Sequence, residues 1–371
     1  MSRYTDIIAT TSRVHRTELP AITWSKIGGQ TAPIPLTHPY SGPNAPLPKA
    51  DIVILTWTSA EWLALDHVFL NGGTPNIPAA KTLESQWHLY SQGAPASSAE
   101  NRLWGYYQLV SVQGNGRKFT VLLFKSDSHL AHPPWITGLA TLVSAILAEA
   151  KPERIYSIGT AGGANNTEKL GDVVITNAAH LQVTVKDNTG INYNNQTFAC
   201  TNWFPATDLL SAVQTGLFFP LSQVVNPTSL AAALQDAAAD YTKQTKLAFS
   251  FTLNDLLNGA LENLNSPRAI PLSGVPLLTT DNYYIAPGNT PYAALEMDDA
   301  VIAHVAAQKN VDFVFVRNIS DTLVPAQTAG GQAIPAEARD SWSSAIYDRF
   351  GLYTSFNGAL ATWATIAAAK S

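Results

Sequence analysis

The side chains in this sequence best suited to chemistry are carboxylic acids at particular points: Glu61, the run Glu296-Met-Asp-Asp299, and Asp321. Asp312-Phe-Val-Phe-Val-Arg317 is short, β-branched and aromatic, so it reads as a buried strand, and Asp321 lies just past its end. In open α/β sheets the carboxyl ends of the strands form the edge where ligands bind. Asp51-Ile-Val-Ile-Leu-Thr56 is a second such strand, and Glu61 falls in the first turn of a helix beginning at Ser59, on that same edge. A carboxyl group that keeps its proton and a carboxylate that accepts one are the minimum for acid–base cleavage of a bond to a leaving group. The plainer role of each is capping, because a carboxylate in a first helical turn is favoured by the helix dipole whatever else it does.

The elements around these acids form a regular pattern. Between Asp298 and Lys309, Val301, Ile302, Val305 and Ala306 recur at helical spacing, with Asp298 and Asp299 in the first turn. Leu103 to Val112 and Lys118 to Phe124 flank Gly114-Asn-Gly116 and read as a hairpin. The loop Lys125 to Pro134 follows, and it carries His129 and His132, to which no role is assigned. Ile136 to Ala150 is an apolar helix, and Pro152 to Ile158 a strand. Gly159-Thr-Ala-Gly-Gly163 reads as a turn whose missing Cβ atoms let a ligand approach the backbone. Val275 to Thr280 is a further strand, Leu230 to Tyr241 a helix, and Ser341 to Ala369 a helix with a break near Gly351. Trp203, Phe204, Phe218 and Phe219 read as core or contact residues in preference to pocket lining.

The chain has 371 residues, 46% hydrophobic and only 13% charged, with a formal net charge of −5. A globular protein with an unusually uncharged surface is expected, and with it a homodimer or higher homo-oligomer. No basic block is present, which argues against nucleic acid as a partner. The single cysteine, Cys200, excludes an internal disulfide and a cysteine-based zinc site, and no His and carboxylate cluster has ligand spacing, so neither metal nor cofactor is expected. No apolar run reaches the roughly 18 residues of a membrane span and the first residues lack a signal-peptide core, so a cytoplasmic protein without a membrane partner is expected. Residues 1–48 are Pro-rich and read as an extension, followed by a single domain over 49–371.

Four blocks in order, Asp51 to Glu61, Ile158-Gly-Thr-Ala-Gly-Gly163, Leu170-Gly-Asp-Val-Val-Ile175 and Leu295-Glu-Met-Asp-Asp-Ala300 with Val316-Arg-Asn-Ile-Ser-Asp321, resemble the purine nucleoside phosphorylase superfamily. The resemblance is strongest to its methylthioadenosine/S-adenosylhomocysteine nucleosidase branch, and it lapses over an insertion at about 186–271. It implies an α/β fold of three layers, α/β/α, around a central mixed and mostly parallel sheet. It also implies cleavage of an N-glycosidic bond in a purine nucleoside or similar small molecule. Asp321 would protonate the leaving base and Glu61 would hold and deprotonate the attacking water. Glu296 and Asp298 would meet the sugar, with Met297 between them against the ligand. Tyr283 or Tyr284 would stack on the base, two registers that stay open, and Gly162 and Ser320 would line the ligand. The sequence departs from the family pattern where Asp298 stands in place of a glutamate, and across Lys125 to Pro134. Thr56-Trp-Thr-Ser-Ala-Glu61 holds no basic residue and ends in a carboxylate, which favours water over phosphate as nucleophile. The alternatives are a phosphorylase, a non-hydrolytic binding or storage protein, and an enzyme recruited for a hydrophobic small molecule on the same scaffold.

Overall fold

The computed structural model describes residues 19–28, 30–74, 86–94, 104–130, 135–188, 190–202, 205, 207–257, 264–283 and 285–369. Thirteen strands make one mixed sheet. In chain order they are β1 (Ile34–Pro35), β2 (Ile52–Thr56), β3 (His88–Tyr90), β4 (Gly105–Gln113), β5 (Lys118–Ser126), β6 (Arg154–Gly162), β7 (Val173–Thr176), β8 (Ala178–Gln182), β9 (Thr197–Ala199), β10 (Ala269–Pro271), β11 (Leu277–Thr280), β12 (Leu295–Glu296) and β13 (Asp312–Asp321). The helices are α1 (Ser59–Leu65), α2 (Trp135–Ala150), α3 (Thr207–Gly216), α4 (Pro227–Thr245), α5 (Leu253–Leu256), α6 (Asp299–Gln308) and α7 (Ala336–Ala367).

At the centre β5, β2, β6 and β13 run parallel and are largely buried, their apolar residues covered on both faces and their polar ones gathered toward the carboxyl ends of β6 and β13. β13 pairs antiparallel with β7, β8 pairs with β11, and β11 with β12, which returns to β6 at Leu295 opposite Gly162. β7 leads through Asn177 directly into β8, so the two arms, β6–β13–β7 and β8–β11–β12–β6, are joined by the chain and not by a ladder, and both meet β6 near its carboxyl end, the rim of the sheet. Helices cover both faces. One core lies under α1, α3, α4 and α7, with Trp62, Val213, Tyr241, Trp342 and Trp363 in it; the other lies under α2 and α6, with Leu139, Ile146, Val301 and Val305. The three-layer α/β/α arrangement anticipated for this chain is therefore present.

Several expectations are corrected. β13 does not end at Arg317 but runs to Asp321, because Asn318 to Asp321 keep pairing with β6, with one irregularity between Ile319 and Asp321. Asp321 is thus the last residue of the strand. Residues 159–162 belong to β6 and are not a turn, since each pairs with β13. α7 runs unbroken through Gly351, where an added Cβ would stand 2.9 Å from the Tyr347 ring, so the glycine makes room inside the helix. Phe218 and Phe219 are core residues: Phe219 stacks on Tyr353 at 5.0 Å, and its backbone N–H and C=O both bond the buried amide of Asn357. Trp203 and Phe204 lie outside the described residues.

The described part of the Pro-rich stretch packs against the rest of the chain, with Leu19, Ile27 and Leu47 buried in the two cores. β1 adds antiparallel to the edge of β4, and further upstream Ile22 N–H donates to Gly73 O at 3.0 Å and Trp24 Nε1 to Gly72 O at 2.8 Å. Among the described residues no single helix is long and apolar enough to cross a membrane.

Candidate active site

Glu61 begins at a helix terminus that the sequence builds well. Thr58 caps α1 and Glu61 returns the bond, a reciprocal capping box that draws the carboxylate back over the end of β2. Its Oε2 accepts from Thr56 Oγ1 at 3.0 Å, Trp57 N–H at 3.0 Å and Thr58 N–H at 2.9 Å. Its Oε1 accepts from both the N–H and the hydroxyl of Thr160, each at 2.8 Å. Five donors on one buried carboxylate, 3% exposed, fill about the four lone-pair sites it has. This binds the end of β2 to the end of β6.

Arg317 lies beside Glu61, 3% exposed, and is the hub of the site. Its Nε donates to Asp299 Oδ2 at 2.8 Å and its Nη2 to Asp299 Oδ1, a bidentate pair. Nη2 also reaches Glu296 Oε2 at 3.2 Å and Ser157 Oγ at 2.9 Å, and the guanidinium stands 5.3 Å over the Trp57 ring. An added Cβ on Gly159 would fall 2.5 Å from Arg317 Nη1 and 2.9 Å from Glu61 Oε1, so only glycine fits opposite them. Glu296, on β12, accepts the N–H groups of Asp298 at 2.6 Å and Asp299 at 2.9 Å and the Thr279 hydroxyl. It therefore caps α6. One guanidinium faces Glu61, Glu296, Asp298 and Asp299, so carboxylates outnumber it. Burial and the Asp299 charge push Glu296 up to about 7. Burial also raises Asp299, against the pull of Arg317.

Asp298 departs from simple capping. It is at the N-cap position of α6 but makes no side-chain cap bond. Instead its Oδ1 accepts from Leu130 N–H at 3.2 Å and its Oδ2 lies 3.2 Å from His129 Nε2, both from the loop after β5. Burial, followed by the charge of Glu296, raises its pKa well above the ordinary carboxylate range.

Asp321 stands at the end of β13, 5% exposed, ringed by hydroxyls. Ser320 Oγ donates to Oδ1 at 2.8 Å, and Ser343 Oγ at 2.5 Å and Tyr283 OH at 3.3 Å meet Oδ2. Burial raises its pKa and the three hydroxyls oppose the rise. Opposite it, an added Cβ on Gly162 would come within 3.1 Å of Oδ2. Glu61 touches Thr160 and Asp321 lies against Gly162, two residues apart on β6, so the points at which they meet the strand are about 7 Å apart.

Of the residues singled out from sequence, Glu61, Gly162, Tyr283, Glu296, Asp298, Ser320 and Asp321 come together at this rim, and Met297 is half-buried on the turn between two of them. Tyr283 is 46% exposed, with its hydroxyl on the acid, so it covers Asp321 from the solvent side. Tyr284 and His132 lie outside the described residues. Two surface hollows lie elsewhere, one of about 320 Å³ by Asn177, Cys200 and Gly274 and one of about 170 Å³ by Ile22, Phe218 and Phe356. Neither of these two is lined by Glu61 or Asp321. Sequence reasoning missed Thr160, Arg317, Ser343 and the pairing of His129. Arg317 was within reach, because a lone arginine between a buried strand and an acidic turn must find a carboxylate. Ser343 and His129 are distant in sequence from their partners and carried no such signal. Among the described residues no group of three or more His, Cys, Asp or Glu side chains is placed to hold a metal ion.

A family profile described as the phosphorylase superfamily matches residues 137–346, more than half of the chain, and the chain belongs to that superfamily. Among solved structures it is similar to a 5′-methylthioadenosine/S-adenosylhomocysteine nucleosidase from Neisseria meningitidis bound to methylthio-immucillin-A, at 15% identity and TM-score 0.43, covering 85% of this chain and 98% of that one. It is also similar to a futalosine hydrolase mutant of Helicobacter pylori, at 11% identity and TM-score 0.45, covering 86% and 99%. The search of curated proteins returned no match.

Proposed function

We propose that the protein hydrolyses the N-glycosidic bond of a purine nucleoside or a nucleoside-like small molecule. The observation that carries this reading is Asp321: a buried carboxyl whose pKa is raised, at the carboxyl end of the central strands, with Glu61 two β6 residues away. As the bond from C1′ to the base nitrogen breaks, its electron pair passes to the purine, and the Asp321 proton passes to a ring nitrogen so that a neutral base leaves. The positive charge left on the sugar is stabilised by the carboxylate-rich rim, and a water adds to C1′, giving its proton to Glu61. Water reaches Glu61 only when one of its five donors gives way; of these, the hydroxyls of Thr56 and Thr160 can rotate.

Charge balance favours water over phosphate. Arg317 is already engaged by Asp299 and Glu296, and Lys125, at the end of the neighbouring β5, is buried and paired with Asp127. A phosphate would meet a rim whose cations are taken.

The test is base release from a panel of purine nucleosides, with and without phosphate, for the wild type, Asp321→Asn and Glu61→Gln. Free sugar without added phosphate, lost by about 10² or more in Asp321→Asn, is expected. Release that survives both substitutions, or that requires phosphate, would overturn the assignment. A second reading, a non-hydrolytic binder on the same scaffold, is favoured by the saturation of Glu61; nucleoside binding without base release would establish it.

A further inference from the structure

The loop between β5 and α2 is fastened to the site in a way that the function so far described does not use. Leu130 N–H and His129 Nε2 meet the two oxygens of Asp298. The far side of the loop is held by Asn188, whose Oδ1 accepts from Ile136 N–H at 3.0 Å and whose Nδ2 donates to Asp281 Oδ2 at 3.0 Å. Asp281 in turn accepts from Thr184 N–H and Val185 N–H, each at 2.9 Å. Asn188 Nδ2 also lies 3.5 Å from Leu130 O, so the residue beside His129 is tied at its N–H to Asp298 and at its C=O to Asn188.

The electrostatics of Asp298 give the clamp a purpose. The charged groups around it are Glu296 on β12, Asp299 on α6, Arg317 on β13 and His129 on the loop. The two carboxyls disfavour its ionisation, and Arg317 is committed to Asp299 and Glu296. A protonated carboxyl is a poor acceptor for sugar hydroxyls, and Asp298 is also one methylene shorter than the glutamate expected there.

Resting on the hydrolase reading above, we propose that His129 is a positioning residue of the sugar site: its imidazolium holds Asp298 as a fixed, ionised acceptor for the sugar's secondary hydroxyls. Substrate affinity then depends on the His129 proton. KM for a nucleoside with those hydroxyls rises as pH increases through the imidazole titration, while a nucleoside lacking them is indifferent.

The test compares adenosine with 2′,3′-dideoxyadenosine on the wild type, His129→Ala and His129→Gln, measuring kcat and KM from about pH 5.5 to 8.5 in half-unit steps, a range that brackets an ordinary imidazole. The expected result for adenosine is a KM raised about tenfold or more in His129→Ala with kcat changed less than about threefold, and a flat KM profile in both variants. The dideoxy substrate should show no change. An adenosine KM that is unchanged in His129→Ala, or one that rises equally for both substrates, overturns the inference while leaving hydrolysis intact. If adenosine is bound but not cleaved, the same comparison by calorimetry decides the inference. A protein that neither binds nor cleaves either nucleoside overturns both readings together.

Discussion

Replacing Arg317 by methionine removes the one guanidinium in the buried acidic cluster while keeping most of its volume, and the structure sets the scale of the loss. The variant loses the bidentate pair with Asp299, the bond to Glu296 and the bond to the Ser157 hydroxyl, and leaves two buried carboxyl groups without their countercharge. Breaking a buried ion pair from one side costs about 3–5 kcal/mol. An independent bound comes from proton uptake: an orphaned carboxyl can take a proton, which at pH 7 costs about 4 kcal/mol for a group with an ordinary pKa of ~3.9. The two figures agree at about 4 kcal/mol. The second also predicts a pH signature, because the same uptake costs only about 1.5 kcal/mol at pH 5. Urea unfolding of wild type and Arg317→Met at both pH values, together with Asp299→Asn and the double variant, measures this directly. The two substitutions should be strongly non-additive, since each removes the same interaction. A loss below about 1 kcal/mol at pH 7, or one of equal size at pH 5, would refute the reasoning, because the cluster would then not depend on Arg317 for its charge.

Three further outcomes follow from the geometry. Glu61→Gln puts an NH₂ against donors that now meet a carboxylate oxygen, so besides losing base release it should cost about 2–3 kcal/mol in urea unfolding; an equally stable variant would mean that the five contacts are slack. Asn357→Ala leaves the Phe219 N–H and C=O unpaired in the core and should lower stability by about 2–4 kcal/mol, with activity preserved in the folded fraction. Glu296 is held up at about 7 from an ordinary 4.5, so its folded form prefers the proton; the stability it lends is full below about pH 4.5 and is lost as pH rises through 7. Stability should therefore fall as pH rises across that window, a slope that Glu296→Gln should flatten in denaturation curves.

Much of this arrangement was legible in the sequence because it depends on local rules. The strand Asp51 to Thr56, the hairpin through Gly114-Asn-Gly116 and the helix after Asp298 follow from periodicity and turn chemistry, and the placement of Glu61 and Asp321 at one sheet edge follows from the direction of their strands. Long-range partnership was not legible. That Thr160 would saturate Glu61, that His129 would sit on Asp298, and that Ser343 would reach Asp321 from α7 depend on how distant segments pack, and no spacing encodes that. The unbroken α7 was missed because a glycine was read as a local break, whereas the packing of Tyr347 decides its place. The continuation of β13 to Asp321 was missed for the same kind of reason, since pairing with β6 keeps polar residues extended.

The skipped register between Ile319 and Asp321 has an electrical consequence. Along β13, Phe313, Phe315 and Ile319 belong to the core under α2 and α6, and strict alternation would turn Asp321 to that side as well, where Arg317 and its surplus of acids lie. The extra residue sends it over to α7 and the Ser343 hydroxyl, and no neighbouring charge contributes to its proton affinity, only burial and three hydroxyls. The carboxyl proposed to protonate the leaving base is thereby set apart from the acids around Arg317. Salt, or a substitution that empties or fills the charge reservoir around Arg317, can shift how that reservoir titrates and leave the proton of Asp321 where it was.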